Sequence, residues 1–342
     1  MFGHSRALAS GLLVMVLLAA TACSGAEGDG SGTAGNDDLD KVTYLTAFGA
    51  SGRDAFAFVA QEKGFFREAG IDAEIELGQA SGENVKALVG GRAQFVNIDL
   101  IGAWILAGTN AEYKDQFRAI AAVHQQTLVA ILALEGGGIT SPKDLAGKRI
   151  GAATSSVNQL LFPAYAQLAG VDAAGVKWVN AAPAQVPALL ASGQVDAVST
   201  FLIGRAGIEK AAGKKTVLLP YNDYLPDLFG NGILASDRVI EDDPELCKRF
   251  REALMKGLRY TIDHPDEAAQ ILFKAQPAAN VEAAKAEITS MTPYVGPAAG
   301  APLGAMDEQR VTSALAVIHD LGLVKEALPP QAVVDFNLTP KA

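Results

Sequence analysis

The chain has 342 residues, of which 49% are hydrophobic and 19% charged, and its formal net charge at pH 7 is −10. This acidity argues against nucleic acid as a partner, because phosphate binding depends on Lys and Arg. Two cysteines, Cys23 and Cys247, are too few for a disulfide framework, so stability must come from burial of an apolar core.

The N-terminus has the layout of a secretory signal peptide over residues 1–22, with one Arg, an apolar run at Gly11–Ala20 and small residues before Cys23. The stretch Ala20–Cys23 resembles a bacterial lipobox, in which the cysteine is acylated and becomes the mature N-terminus. Residues 23–40 are glycine, small polar residues and acids, and are expected to form a flexible tether. An ordinary signal peptide beside an incidental cysteine is the alternative. The tether favours an extracytoplasmic protein anchored to the membrane by an N-terminal lipid.

Two segments recur in the same order, which predicts two lobes with a shared plan. Ala69–Ala73 returns as Ala169–Ala173, and the pattern of Ala87–Asn97 returns as Leu189–Ser199. Each copy indicates a helix that ends at a glycine and is followed by a strand, since glycine enters the left-handed region without a Cβ penalty. Chance similarity between Ala- and Gly-rich segments is the alternative, and the common order and spacing favour a duplication.

Short apolar runs alternate with amphipathic helices, a pattern that predicts two open, mostly parallel α/β sheets. The C-terminal third is predicted to be helical, beginning with a long helix over Pro244–Asp263 that acids and a proline open. The second lobe is predicted at residues 135–230. It interrupts the first lobe, which is predicted to comprise residues 41–134 and 231–342.

Four segments in chain order resemble one class of ABC-importer substrate-binding proteins, which bind nitrate, taurine, aliphatic sulfonates and pyrimidine precursors of thiamine. The segments are Phe58–Ile75, Ser141–Gly151, Leu189–Ala197 and Asp263–Ala269. The resemblance implies a type II periplasmic-binding-protein fold, in which two hinged α/β lobes hold a ligand in the cleft between them. It implies a small-molecule ligand, an ABC permease and, through the permease, an ATPase as partners of a monomer that needs no cofactor.

Ligands of open α/β sheets bind beyond the carboxyl ends of strands, and four predicted loops lie there. Their candidate ligand-binding residues are Phe48, Ser51, Arg53 and Asp54; Asn97 and Asp99, with their repeat partners Thr200 and Phe201; Thr154, Ser155 and Ser156; and Tyr221 and Asp223. The last two are candidates by resemblance to the pyrimidine-precursor branch. Helix capping is the competing role, because Ser51 and Asp54 fit a capping box and Asp99 fits an N-cap.

Aromatic side chains among mixed donors and acceptors, with Arg53 as the sole expected cation, favour a flat, nearly neutral heterocycle of the pyrimidine-precursor kind. An anion such as taurine, an alkanesulfonate or nitrate is the first alternative. An enzyme of pyrimidine-precursor biosynthesis on the same fold is the second. The sequence has no nucleophile elbow, phosphate loop or His pair with zinc spacing, so we expect a binding protein without catalytic or metal-binding residues.

Overall fold

The computed structural model describes residues 39–296 and 300–341. The predicted signal peptide, the predicted lipidation site Cys23 and nearly all of the predicted tether lie outside the described residues. Within the described ranges, no helix is long and apolar enough to cross a membrane.

Ten strands of the described residues, numbered along the chain, form two five-stranded sheets. They are β1 Asp40–Leu45, β2 Ile71–Glu76, β3 Phe95–Asp99, β4 Phe117–Ala122, β5 Val129–Leu134, β6 Arg149–Ala153, β7 Lys177–Ala181, β8 Ala197–Phe201, β9 Thr216–Pro220 and β10 Asn231–Ser236. The first sheet has the order β2-β1-β3-β10-β4, and the second has the order β7-β6-β8-β5-β9. In each sheet three parallel strands are followed by an antiparallel strand, β10 or β5, and then by a last strand that pairs antiparallel with it. The two sheets therefore share one topology, in line with the repeat in the sequence.

Thirteen α-helices of the described residues surround these sheets. They are α1 Ala55–Glu62, α2 Phe65–Glu68, α3 Ser81–Val89, α4 Leu100–Thr109, α5 Val157–Leu160, α6 Phe162–Ala169, α7 Val186–Ala191, α8 Arg205–Ala212, α9 Asp237–Asp242, α10 Pro244–Asp263, α11 Pro265–Ala275, α12 Val281–Val295 and α13 Glu308–Asp320. The helical segment is interrupted between α5 and α6, and Pro163 lies in the first turn of α6. A missing N–H costs no hydrogen bond at that position.

The apolar core is continuous between the two sheets. Its aromatic centre in the first sheet is the stack of Phe95 from β3 on Phe250 from α10, with ring centroids 3.9 Å apart. A smaller separate core lies between the second sheet and helices α7 and α8. It consists of Leu132, Val186, Leu190, Val195, Val198 and Ile208.

The glycines of the repeat adopt the predicted left-handed conformation. Gly70 and Gly170 have φ values of 72° and 68°, and Gly91 and Gly193 have φ values of 74° and 72°. At Gly170 the helix end is closed by the N–H of the next residue, which donates to the carbonyl of Ala166. A side chain with Cβ would be strained at these positions, so the glycines define where each helix turns into the following strand.

Strand β5 belongs to the second sheet, whereas the sequence predicts a first lobe that extends to residue 134. Val129 pairs with Phe201 of β8, and Leu134 pairs with Thr216 of β9. An apolar run suits the interior of either sheet, so only the pairing reveals its place. The chain thus passes to the second sheet between β4 and β5 and returns between β9 and β10. The lobe boundaries, taken as the limits of moving bodies, stay a prediction.

Through hydrogen bonds, His124 links the two segments that connect the sheets. Its backbone N–H donates to the carbonyl of Asn231 at 2.9 Å, and its carbonyl accepts from Gly230 at 3.1 Å. The ring nitrogen Nδ1 also accepts a hydrogen bond from the N–H of Asn231 at 3.4 Å. Burial and, to a smaller extent, the charge of Arg53 together lower the pKa of His124 to about 3, so the imidazole is neutral at physiological pH.

Candidate functional site

A cavity of about 640 Å³ lies where loops of the two sheets meet. Its walls come from the loops after β1 and β2 of the first sheet, the loops after β7 and β8 of the second, and one residue of α12. These are carboxyl ends of parallel strands, where ligands of open α/β sheets bind. The aromatic, charged and hydrogen-bonding side chains of the lining are Phe48, Ser51, Arg53, Gln79, Thr200, Phe201 and Glu287.

Two phenylalanines, one from each sheet, meet at this cavity. Phe48 follows β1 and Phe201 ends β8, and their ring centroids are 5.5 Å apart in an edge-to-face arrangement. The Arg53 guanidinium lies 3.9 Å from the ring centroid of Phe201 and 5.4 Å from that of Phe48. The fold therefore brings three of the predicted site residues together. Their aromatic surface and planar cation suit stacking on a flat ligand.

Arg53 and Asp54 form an ion pair beneath the Phe48 loop. Arg53 is 2% exposed and Asp54 is 0% exposed, and Arg53 Nε lies 3.5 Å from Asp54 Oδ2. The other Asp54 oxygen accepts hydrogen bonds from the N–H of Ala47 at 2.9 Å and from the Asn97 amide at 2.8 Å. The predicted capping box with Ser51 is wrong, because the Asp54 carboxyl turns inward to these two donors. Asp54 and Asn97 support the loop from below and do not line the cavity.

Asp99 caps α4 and leaves one oxygen without a partner. Its Oδ1 accepts from the N–H groups of Ile101 at 3.0 Å and Gly102 at 3.1 Å. Its side chain lines a second, small cavity of about 10 Å³, which Arg53 and Phe201 also line. Burial raises the pKa of Asp99 to about 7, although both backbone N–H groups and the charge of Arg53 act to lower it.

Several buried polar atoms around Arg53 have no hydrogen-bond partner within the described part of the chain. They are Nε and Nη1 of Arg53, Oδ2 of Asp54, Oδ1 of Asn97, Oδ2 of Asp99 and Nε2 of His124. Buried polar groups are usually paired, and an unpaired one costs about 1–3 kcal/mol. These unpaired atoms include donors, the two nitrogens of Arg53, and acceptors, the oxygens of the Asp and Asn side chains. No set of three or more His, Cys, Asp or Glu side chains in the described ranges could hold a metal ion.

The hydroxyl loop of the second sheet brings only one of its three side chains to a cavity. Ser156 lines the small cavity and donates its hydroxyl to the carbonyl of Ala153 at 2.8 Å. Thr154 and Ser155 are exposed and line neither cavity. Ser156 is the N-cap residue of α5 and makes no side-chain cap bond. Ser155 instead uses its backbone, whose carbonyl accepts from the N–H of Gly82 in α3 at 3.3 Å and so bridges the cleft.

Tyr221 and Asp223 lie away from both cavities. Tyr221 is fully buried, and its ring stacks on that of Tyr165 with centroids 4.2 Å apart. Its hydroxyl lies 3.3 Å from the hydroxyl of Ser199 and donates to the carbonyl of Asn158 at 3.2 Å. Asp223 is exposed. The aromatic ring of Tyr221 is thus held inside the second lobe by packing and hydrogen bonds, and the structure does not bring it to the cleft.

Two residues of the cavity wall, Gln79 and Glu287, are not among the candidates from the sequence. Gln79 follows β2. Glu287 lies on α12, far along the chain from every predicted loop, and its Oε2 accepts from the hydroxyl of Ser51 at 2.7 Å and the N–H of Gly52 at 2.6 Å. Burial raises the pKa of Glu287, partly offset by these two donors and by Arg53. An acid on an Ala-rich helix has no local signal, so only the fold reveals it.

Asp99 should make stability depend on pH. Because its folded pKa lies above that of the unfolded chain, its ionisation favours unfolding, and the free energy of unfolding should fall as pH rises from 3.8 to about 7. Asp99→Asn keeps the oxygen that caps α4 but cannot ionise. We expect its free energy of unfolding to fall less over this range, with slopes that differ by up to about 1.4 kcal/mol per pH unit.

Urea unfolding of both proteins at several pH values measures this difference. Asp72→Asn on β2, an exposed aspartate, is the matched control and should follow the wild type. Parallel curves for Asp99→Asn and the wild type would show that the Asp99 carboxyl is well solvated.

The chain has the fold of two-lobe periplasmic binding proteins, as predicted. The alkanesulfonate-binding protein SsuA from Xanthomonas axonopodis pv. citri, solved with bound MOPS, superimposes with a TM-score of 0.69 at 16% identity, covering 86% of this chain and 98% of that chain.

Most of the chain matches one protein family in sequence. Residues 53–268 match the model of the family described as NMT1/THI5 like, and the chain belongs to this family. The formylaminopyrimidine-binding protein of Halalkalibacterium halodurans is 25% identical over 252 residues, 72% of this chain and 74% of that protein. The 4-amino-5-hydroxymethyl-2-methylpyrimidine phosphate synthase of Legionella pneumophila is 26% identical over 244 residues, 69% of this chain and 74% of that protein.

Proposed function

We propose that this protein is the extracytoplasmic solute-binding component of an ABC importer, and that it captures a flat, polar nitrogen heterocycle of the pyrimidine-precursor kind. The family and the formylaminopyrimidine-binding relative support this class of protein and ligand. One observation of the structure supports it most strongly: Phe48 and Phe201, from opposite sheets, meet over the Arg53 guanidinium at the cavity. A ring that enters between the lobes finds stacking surface on both walls.

The charges of the cleft favour such a ring over an anion. Arg53 is the one cationic side chain that lines these two cavities in the described residues. Its charge is already shared by the buried carboxyl groups of Asp54 and Asp99. A sulfonate or nitrate ion would add a further negative charge to this buried cluster, whereas an anion site needs free cations or helix ends. A neutral heterocycle adds no such charge.

We propose that the protein binds without chemistry, by closure of two hinged lobes. The two crossings beside His124 are the natural hinge, since they are the only covalent links between the sheets in the described residues that precede α9. The synthase among the relatives keeps an enzyme as the rival function. A ligand that binds only the closed form stabilises it by about 2.7 kcal/mol at 100 times the dissociation constant. X-ray scattering should therefore show compaction when ligand is added.

We also propose that an N-terminal lipid on Cys23 anchors the protein to the membrane. The Ala20–Cys23 stretch and the tether that follows it support this. Cys23→Ala should release the protein from the membrane fraction, because one acylated residue is the only anchor proposed. Fractionation of cells that express either form measures this, and a variant that stays membrane-bound to the same extent as the wild type contradicts the anchor.

Calorimetry with the purified protein tests the ligand class. We expect 4-amino-5-hydroxymethyl-2-methylpyrimidine, the compound in the name of the synthase without its phosphate, to bind, and taurine and nitrate to give no measurable heat. Binding of taurine or nitrate without binding of the pyrimidine would overturn the heterocycle in favour of an anion. Conversion of the pyrimidine during the incubation would overturn the binding protein in favour of an enzyme.

A further inference from the structure

Helix α12 brings an acidic side chain to the mouth of the cleft. The helix packs on the short helical turn Gly52–Asp54 after β1 and on the turn Leu202–Gly204 after β8, so it contacts both walls. The approach to the first turn is very close, since a Cβ at Gly52 would lie 2.2 Å from the carbonyl oxygen of Ala284. Only glycine permits this contact. Glu287, one turn further along α12, then faces the cavity.

The Glu287 carboxyl is held in place through one oxygen only. Oε2 accepts both hydrogen bonds, from the Ser51 hydroxyl and the Gly52 N–H, so its orientation is set by the loop it contacts. Oε1 makes no hydrogen bond to any described residue, and the side chain lines the 640 Å³ cavity. In its ionised form, this fixed carboxyl group with one free oxygen is a hydrogen-bond acceptor already oriented for a ligand, and a cationic or N–H donor ligand favours that form.

The nearby charges leave this acceptor poorly compensated. The charge of the Arg53 guanidinium acts on Glu287 and on Asp99, and the same guanidinium is the ion-pair partner of Asp54. One positive charge thus serves three carboxyl groups. A ligand that donates an N–H or carries a positive charge supplies the donor or positive charge that these carboxyl groups lack. A ligand that presents a carbonyl oxygen at the same position is repelled, because the carbonyl oxygen and the carboxylate are both negative.

We propose that Glu287 is the specificity residue of the cleft, and that it selects heterocycles with an amino group or a protonated ring nitrogen over their oxo counterparts. This rests on the proposed function and narrows its ligand class. The competing role is purely structural, as an anchor for the Ser51–Gly52 loop. The two roles separate in Glu287→Gln, because the amide oxygen can still accept both loop hydrogen bonds while the amide removes the negative charge.

The test measures binding of two probes by calorimetry: 4-amino-5-hydroxymethyl-2-methylpyrimidine and its counterpart with a ring carbonyl in place of the amino group. We expect the wild type to prefer the amino compound by at least about tenfold. Glu287→Gln should weaken binding of the amino compound by roughly 10- to 150-fold, the worth of a charged hydrogen bond. It should strengthen binding of the oxo compound, because the amide N–H at the free position can donate to a ring carbonyl. Glu282→Gln, an exposed acid on the same helix, is the control for net charge and should behave as the wild type.

Thermal melting of each variant distinguishes ligand selection by Glu287 from a purely structural role in the Ser51–Gly52 loop. A wild type that binds both probes alike, or a Glu287→Gln protein that keeps the preference, overturns the inference and leaves the proposed function standing. A Glu287→Gln protein that melts far below the wild type and loses both probes equally assigns Glu287 to the loop and also overturns it. A wild type that binds neither probe overturns the heterocycle proposal and this inference together.

Discussion

Phe201→Ala should weaken binding of the pyrimidine by roughly 5- to 150-fold, because stacking of one base on an aromatic side chain contributes about 1–3 kcal/mol. Phe201 is the aromatic of the second lobe that reaches the cavity, and its ring lies over the Arg53 guanidinium. The loss should appear mainly as faster release, as is usual for interface substitutions. Calorimetry and stopped-flow dissociation measure both effects.

Phe273→Ala is the matched control, since Phe273 is an exposed phenylalanine, 43% accessible, on α11. It should bind the pyrimidine as the wild type does. If Phe201→Ala binds the pyrimidine within about twofold of the wild type, the aromatic wall does not hold the ring, and the stacking model of the cleft is wrong.

Arg53→Met should lower the free energy of unfolding by roughly 3–5 kcal/mol, the usual effect of removing one partner from a buried ion pair. Methionine keeps much of the side-chain volume but leaves Asp54, which is fully buried, without its counter-ion. Burial already raises the pKa of Asp54, and the charge of Arg53 holds it down, so the variant should raise it further. The loss should therefore shrink as pH falls and the carboxyl is protonated.

Urea unfolding at two pH values measures this effect. Arg67→Met, at an exposed position on α2, should change stability by no more than about 0.5 kcal/mol. A loss for Arg53→Met below about 1 kcal/mol, equal at both pH values, would mean that solvent compensates Asp54 and that the cluster is less tightly buried than its accessibility indicates.

The sequence predicts the architecture well, because its strongest signals are local. Left-handed glycines such as Gly70 and Gly170 end helices whatever their neighbours, and the repeat of these signals predicts the repeat of the sheets. Local signals do not predict which sheet contains β5. It depends on hydrogen bonds to β8 and β9, which are distant in sequence, and an apolar run carries no information about its partners.

The candidate site shows the same difference between residues that local signals predict and residues that long-range contacts bring in. Phe48, Arg53 and Phe201 lie directly at the ends of predicted strands, so the rule that ligands bind at those ends brings them together in advance. Tyr221 also follows a strand, but β9 is the edge strand of its sheet, and the ring turns into the core against Tyr165. Glu287 reaches the cavity only because α12 packs across both lobes, a long-range contact that no local pattern predicts.

Mass spectrometry of the small molecule that the protein carries after expression and gentle purification identifies the ligand most directly. The protein is denatured, the released compound is identified, and a second portion is incubated with the folded protein before identification. We expect a nitrogen heterocycle with an amino group, recovered unchanged. An alkanesulfonate or another anion would contradict the ligand class, and a chemically altered heterocycle would contradict binding without chemistry.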